Sequence, residues 1–283
     1  MNFAKIIVVI TVVSAAIMEL IDTSIVNVGV SQMAGSLGVT IEDISWVITS
    51  YAIANVIVIP MTGFLQRFFG RKNYYLASIV LFTVASGFCG ISTDLWMLVF
   101  WRFLQGIGGG ALLSVSQGIL FDTFSVQQRP MASAMFGIGI VLGPTFGPTL
   151  GGIILDNYHW SWMFFINLPF GVLAILLSYF FLERKPEEFQ INRSAIKIDT
   201  IGILLLALFV GPLQFVLERG SADDWFEDPM ILRMTILCIV SFVAFVWWEL
   251  KSPNPVVDLR VSSCDVMGAG SGRSGVRQTL AVW

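Results

Sequence analysis

Eight stretches of this chain are apolar over a length that can cross a bilayer: about residues 6–30, 44–66, 74–92, 96–119, 133–155, 162–182, 198–217 and 230–250. A spanning helix needs roughly 20 such residues. With 56% hydrophobic and 12% charged residues gathered into runs of this length, the sequence reads as an all-α polytopic membrane protein. It lacks the strict alternation that a membrane β-barrel requires. The first run has only Lys5 ahead of it, two acids within it and no convincing cleavage site, so it is expected to stay as a span. Cys89, Cys238 and Cys264 are scattered and suggest neither a disulfide framework nor a metal site, and no cofactor is expected. A net charge of −3 points to no nucleic-acid partner.

The connections between the runs alternate in charge. Arg67, Arg71 and Lys72 follow the second run, Arg129 follows the fourth, and Arg184, Lys185, Arg193 and Lys197 follow the sixth. The segments 31–43, 92–95 and 156–161 hold neither Lys nor Arg, and 218–229 holds one Arg against five acids. Lys251 and Arg260 follow the last run. By the positive-inside rule, both termini are cytoplasmic. Short connections within the first six runs favour a compact bundle at 1–185. A polar linker, 186–197, then leads to two further spans at 198–250 and a polar cytoplasmic tail at 251–283. The tail is rich in Gly, Ser and Arg and is expected to be disordered.

The first run contains MELID, with Glu19 and Asp22 on one helix face by their spacing. A charge at the centre of a bilayer costs at least about 2.5–3.5 kcal/mol. Arg102 lies about seven residues inside the outer end of the fourth run, roughly 10 Å deep at the helical rise, and Asp22 lies at a similar depth. Charges in the membrane pair with one another or face a wet cavity, so Asp22 and Arg102 are expected to approach each other. A static ion pair between two spans is the plainer reading. Against it, two acids share one base, and an unpaired carboxyl in a low-dielectric site can take up a proton. Asn27 and Gln105 are weaker candidates for lining a cavity.

In GIGIVLGPTFGPTLGG, Gly139, Gly143, Gly147 and Gly151 line one helix face, with Pro144 and Pro148 also four apart. Such a face lets another helix approach closely, while the prolines remove intrahelical hydrogen bonds. In RFLQGIGGGALL, Gly106, Gly108 and Ala111 match the dinucleotide fingerprint formally. No strand precedes them, so close helix packing is the better account.

Together these motifs resemble the major facilitator superfamily, and within it the fourteen-span drug:proton antiporters of the EmrB/QacA type. ELIDTSIVNV is similar to the acidic motif of the first span. GFLQRFFGRK, with Gly63, Gly70, Arg71 and Lys72, is similar to the loop motif between spans two and three. WRFLQGIGGG resembles the span-four motif, and the glycine–proline stretch the antiporter motif of span five. WVITSYAIAN, DNYHWSWMFFINLPFG, LERGSADDWF and WELKSPNPVVDLR resemble the EmrB branch. Two departures stand out. The usual acidic position of the loop motif holds Arg67, which argues against a charge relay there. The likeness also ends near Arg260, before the second six-helix bundle of such transporters, and the tail beyond reads as unrelated translation.

The resemblance implies proton-driven export of hydrophobic or amphipathic drug-like compounds across the bacterial inner membrane. Asp22 and Glu19 would be the proton and cation sites, titrating as a pair, and Arg102 would modulate Asp22. The span-five glycines and prolines would form the inter-bundle hinge and seal. A periplasmic adaptor and an outer-membrane channel would be partners. A rival reading is an inactive truncated or frameshifted product. An intramembrane enzyme is disfavoured, since the spans hold no Ser/His or metal-ligand constellation.

Overall fold

The computed structural model describes residues 3–182, 199–221 and 224–252. The linker at 186–197 and tail residues 253–283 lie outside the described residues. A bilayer offers no partners to backbone N–H and C=O groups, so each apolar run closes its hydrogen bonds within itself as a helix. The helices are α1 (Phe3–Leu37), a single turn α2 (Ile41–Ile44), α3 (Trp46–Phe69), α4 (Arg71–Gly90) and α5 (Leu95–Thr123). They continue as α6 (Arg129–Asn157), a turn α7 (Trp162–Phe165), α8 (Asn167–Phe181), α9 (Thr200–Arg219) and α10 (Pro229–Lys251). Among the described residues, eight stretches are long and apolar enough to cross a membrane, matching the eight runs.

Polar side chains set several helix ends. Asp94 accepts from Met97 N at 2.9 Å before α5, and Asp228 accepts from Met230 N and Ile231 N before α10. Gly70 alone separates α3 from α4. Its φ of 81° is a conformation that L side chains rarely adopt, and it makes the tight reversal possible. The sixth run stays helical in backbone through Ile166, between α7 and α8, whose N–H donates to Trp162 O at 3.1 Å. Pro169 cannot donate to the carbonyl four residues back, so one backbone hydrogen bond is missing there. Asn167 opens α8 and is buried inside the bundle.

Within the bundle, α5 packs against α3 and α4, and α1 against α5, α6 and α8. Glycine allows the closest of these approaches. A Cβ on Gly106 would lie 2.5 Å from Tyr51 O of α3, and one on Gly108 would lie 2.7 Å from Ser78 O of α4. The formal dinucleotide pattern is therefore a helix-packing device.

Two apolar cores result. One joins Val12, Ile79, Phe82, Leu112 and Ala174, and the other joins Ile25, Val47, Leu98, Met163 and Phe164. On α1, α4 and α5 the residues of the two cores are separated by a gap, and the buried polar residues Glu19, Asp22, Ser86, Arg102 and Gln105 fill it. These five polar residues form a layer between two apolar blocks.

The pair α9–α10 docks on α3. Leu206, Val210 and Phe245 pack with Val56 and Met61, and Phe215, Val216 and Ile231 pack with Trp46 and Ile53. Arg219 fixes one end, donating to Glu42 O at 3.1 Å and Ser45 Oγ at 2.8 Å. At the other end, Asp199 caps α9 and accepts from Trp248 Nε1 of α10 at 2.8 Å and from Ser252 Oγ at 2.9 Å.

Candidate functional site

Asp22 and Arg102 meet in the polar layer. Arg102 Nη1 donates to Asp22 Oδ2 at 2.6 Å, and the two side chains are 2% and 0% exposed. Asp22 Oδ1 accepts from Gln105 Nε2 at 2.9 Å and from Asn167 Nδ2 at 2.6 Å. Both oxygens of Asp22 therefore face donors, an arrangement that a carboxylate, which only accepts, matches. Arg102 also donates to Val47 O at 3.3 Å and Gln105 Oε1 at 2.9 Å, and its guanidinium lies 4.2 Å from the Tyr51 ring centroid. Asn167 passes the network on to Ser86 Oγ, which donates to Phe164 O. One buried knot ties α1, α3, α4, α5, α7 and α8.

Glu19 lies one turn from Asp22 on α1 and has different surroundings. Its Oε1 accepts from Asn55 Nδ2 at 3.0 Å. Its Oε2 is buried and has no hydrogen-bond partner among the described residues. Glu19 is only 4% exposed, yet it lines a cavity of about 390 Å³. Leu20, Thr23 and Asn27 of α1 continue that wall, α3 contributes Tyr51 and Asn55, α5 contributes Arg102 and α9 contributes Glu218. Drug-sized ligands occupy clefts of this order.

The two weaker candidates part company. Asn27 lines the cavity. Gln105 does not: it is fully buried, with both ends of its amide committed to Asp22 and Arg102. Its position between two charges takes it away from the wall.

The glycine stripe of α6 faces α1 within the same bundle. A Cβ on Gly143 would lie 2.6 Å from Leu20 Cβ, one on Gly139 would lie 2.9 Å from Val13 Cγ1, and one on Gly151 would lie 3.3 Å from Val28 Cβ. Gly147 sits against Ser24. Pro148 has no N–H to offer to Pro144 O, and Ser24 Oγ donates to that freed carbonyl at 3.3 Å. Within this bundle the close-packed glycine face is filled by α1. Pro144 and Pro148 lie on the exposed side of α6.

In the loop motif, Arg71 forms an ion pair with Asp122 at the end of α5 and donates to Gly118 O at 3.2 Å. Lys72 donates to Tyr179 O at 2.8 Å, at the end of α8. Gly63 and Arg67 are exposed. The acid that partners this motif comes from α5, not from the position of Arg67.

Residues 12–250 match the Major Facilitator Superfamily. The chain belongs to that superfamily. It is 39% identical over 245 residues to the multidrug export protein EmrB of Escherichia coli, covering 87% of this chain and 47% of that protein. The EmrB of Haemophilus influenzae is 40% identical over the same shares. The fatty acid resistance protein FarB of Neisseria gonorrhoeae is 37% identical, covering 87% of this chain and 48% of that one. The chain spans about half the length of the curated relatives it matches. The human organic anion transporter MFSD10 (TETRAN) shares the fold, with a TM-score of 0.55 at 19% identity over 77% of this chain and 56% of its own. This major facilitator chain is an integral membrane protein.

Tyr51, Asn55, Ser86 and Asn167 were not singled out from the sequence. All four are polar residues inside apolar runs, and listing every polar side chain at the depth of Asp22 would have found them. Glu218 was missed because it stands at the end of a run, where a charge reads as loop.

Proposed function

We propose that this chain forms the N-terminal portion of a proton-coupled multidrug exporter of the bacterial inner membrane, with both termini cytoplasmic. In this reading residues 1–185 are the first bundle, 186–197 a cytoplasmic linker and 198–250 two central spans. Drug-like compounds and protons are the ligands. A periplasmic adaptor and an outer-membrane channel are proposed partners, testable by co-purification.

The observation that carries the reading is Glu19, a buried carboxyl on the cavity wall with no ion pair among the described residues. An ionised carboxylate in a buried place needs a counter-charge, and either a proton or the positive end of a substrate can supply one. If both compete for the same oxygen, release of one accompanies uptake of the other, which is the elementary requirement of antiport. The titratable groups that act on Glu19 are Asp22 on α1, Tyr51 on α3 and Tyr75 on α4, and Arg102 on α5 and Glu218 on α9 line the same cavity. The charge of Arg102 is committed to Asp22. This geometry supports Glu19 as the exchanging carboxyl and Asp22 as a fixed partner of Arg102, the reverse of the order expected from sequence. Alternating access by rocking takes two bundles, so vectorial transport is proposed for a protein of the relatives' full length.

The test is drug-dependent proton movement in proteoliposomes under an imposed pH gradient, with these eight spans in such a full-length protein. Coupling should vanish in Glu19→Gln. Coupling that survives this substitution unchanged overturns the assignment.

A further inference from the structure

We infer that Glu218, carried by the central helix pair, is a specificity-determining residue that selects cationic substrates at the outer mouth of the cavity. The inference rests on the cavity reading above and adds a part to it. The pair α9–α10 is then a wall of the binding site as well as a pair of spans.

The position of Glu218 is fixed by its neighbours. Phe215 and Val216 are buried against Trp46, Ile53 and Ile231, and Phe215 stacks on Trp46 at 5.4 Å between centroids. Arg219 is held by Glu42 O and Ser45 Oγ and lies over the Trp46 ring. These three side chains hold one face of α9 against α2 and α3. Glu218 stands off that face and joins Glu19 in lining the cavity.

Glu218 is exposed on α9. It is the second-last residue of α9, and the carbonyl end of a helix disfavours negative charge. Its described hydrogen bond is a 3.3 Å contact from Gln214 Nε2. The cavity gives it a role. Asp22 offsets Arg102, so the two glutamates leave the wall negative when ionised. At the inner end Glu19 forms no ion pair among the described residues, and the one arginine beside it is held by Asp22. The wall from Glu19 to Asn27 runs eight residues along α1, about 12 Å at the helical rise. An organic cation entering from the outer side would meet Glu218 first and Glu19 at the end.

The test uses two probes of matched shape and opposite charge, tetraphenylphosphonium and tetraphenylborate. Their binding to the purified chain is measured in nanodiscs of zwitterionic lipid at low ionic strength. The wild type should prefer the phosphonium. Glu218→Gln should weaken phosphonium binding about three- to tenfold and leave borate binding unchanged or tighter. Glu218→Asp should keep the wild-type preference. Raising the salt to physiological strength should shrink the Glu218→Gln effect, because the Debye length falls to about 8 Å. Unchanged phosphonium binding in Glu218→Gln overturns the inference. So does equal weakening of both probes in Glu218→Gln and Glu218→Asp, which would trace the effect to helix packing. Loss of phosphonium binding in Glu19→Gln together with indifference to Glu218→Gln would refute the role of Glu218 alone. Indifference to both substitutions would refute the cavity reading as well.

Discussion

Glu19 and Asp22 stand one turn apart on the same helix and have opposite surroundings. Asp22 accepts from three side chains through both oxygens. Glu19, on the cavity wall, accepts from Asn55 through one oxygen, and its other oxygen is buried without a hydrogen-bond partner among the described residues. A saturated carboxylate holds structure together, whereas an unsaturated one at a cavity is available to a ligand or a proton.

Breaking the buried pair should be costly. Asp22→Ala leaves Arg102 buried without its counter-charge, which typically costs about 3–5 kcal/mol. Arg102→Ala strands Asp22 with only its two amide donors. Each should lower the thermal midpoint in detergent markedly. The Asp22→Asn/Arg102→Gln double variant should lose less than the two single charge removals combined, because contacting residues do not add. Additive losses would mean that the pair is not an energetic unit.

The glycine face of α6 should tolerate no side chain. Gly143→Leu places its Cβ against Leu20 and should cost about 1–3 kcal/mol by overpacking. The neighbouring Gly152, with no atom within 4 Å of its added Cβ, should accept Ala without loss. Membrane insertion should be normal in both. Equal stability of the two variants would mean that α1 and α6 do not pack as described.

The span arrangement and the Asp22–Arg102 approach were legible because they depend on quantities a sequence carries: run length, charge sign and distance from the end of a run. The structure brings those two charges to 2.6 Å. What sequence could not supply was lateral arrangement. The four-residue period of Gly139, Gly143, Gly147 and Gly151 defines a face, but not that α1 covers it. Asn55 and Asn167 carry no charge to stand out against apolar neighbours, and their relation to α1 depends on how α3 and α8 are arranged around it. Glu218 reaches the cavity only because Phe215 and Arg219 dock α9 on Trp46, a contact between residues far apart in the chain.

The central pair should depend on its tie at Asp199. Trp248→Phe keeps the ring's bulk but removes the indole N–H that reaches Asp199 at 2.8 Å. A hydrogen bond to a charged group is worth about 1.5–3 kcal/mol. Hydrogen exchange of α9 and α10 should quicken while α1 and α5 keep their protection. Uniform loss of protection across all helices would argue that the pair is inseparable from the bundle.

The charge alternation predicts sidedness. A reporter fused after Lys251 should be cytoplasmic, and a cysteine replacing Ser221 should label from the outer side. A cytoplasmic Ser221→Cys would turn the cavity mouth at Glu218 towards the wrong compartment.

The most direct measurement is proton release on binding. The purified chain in nanodiscs, in weakly buffered solution with a pH indicator, is mixed with tetraphenylphosphonium. If substrate and proton compete for Glu19, binding should release protons into solution, and cation binding should weaken as the pH falls because protonation removes the attracting charge. Asp22→Asn protein that still folds should keep the release, and Glu19→Gln should abolish it. Proton release that persists undiminished in Glu19→Gln would contradict the account.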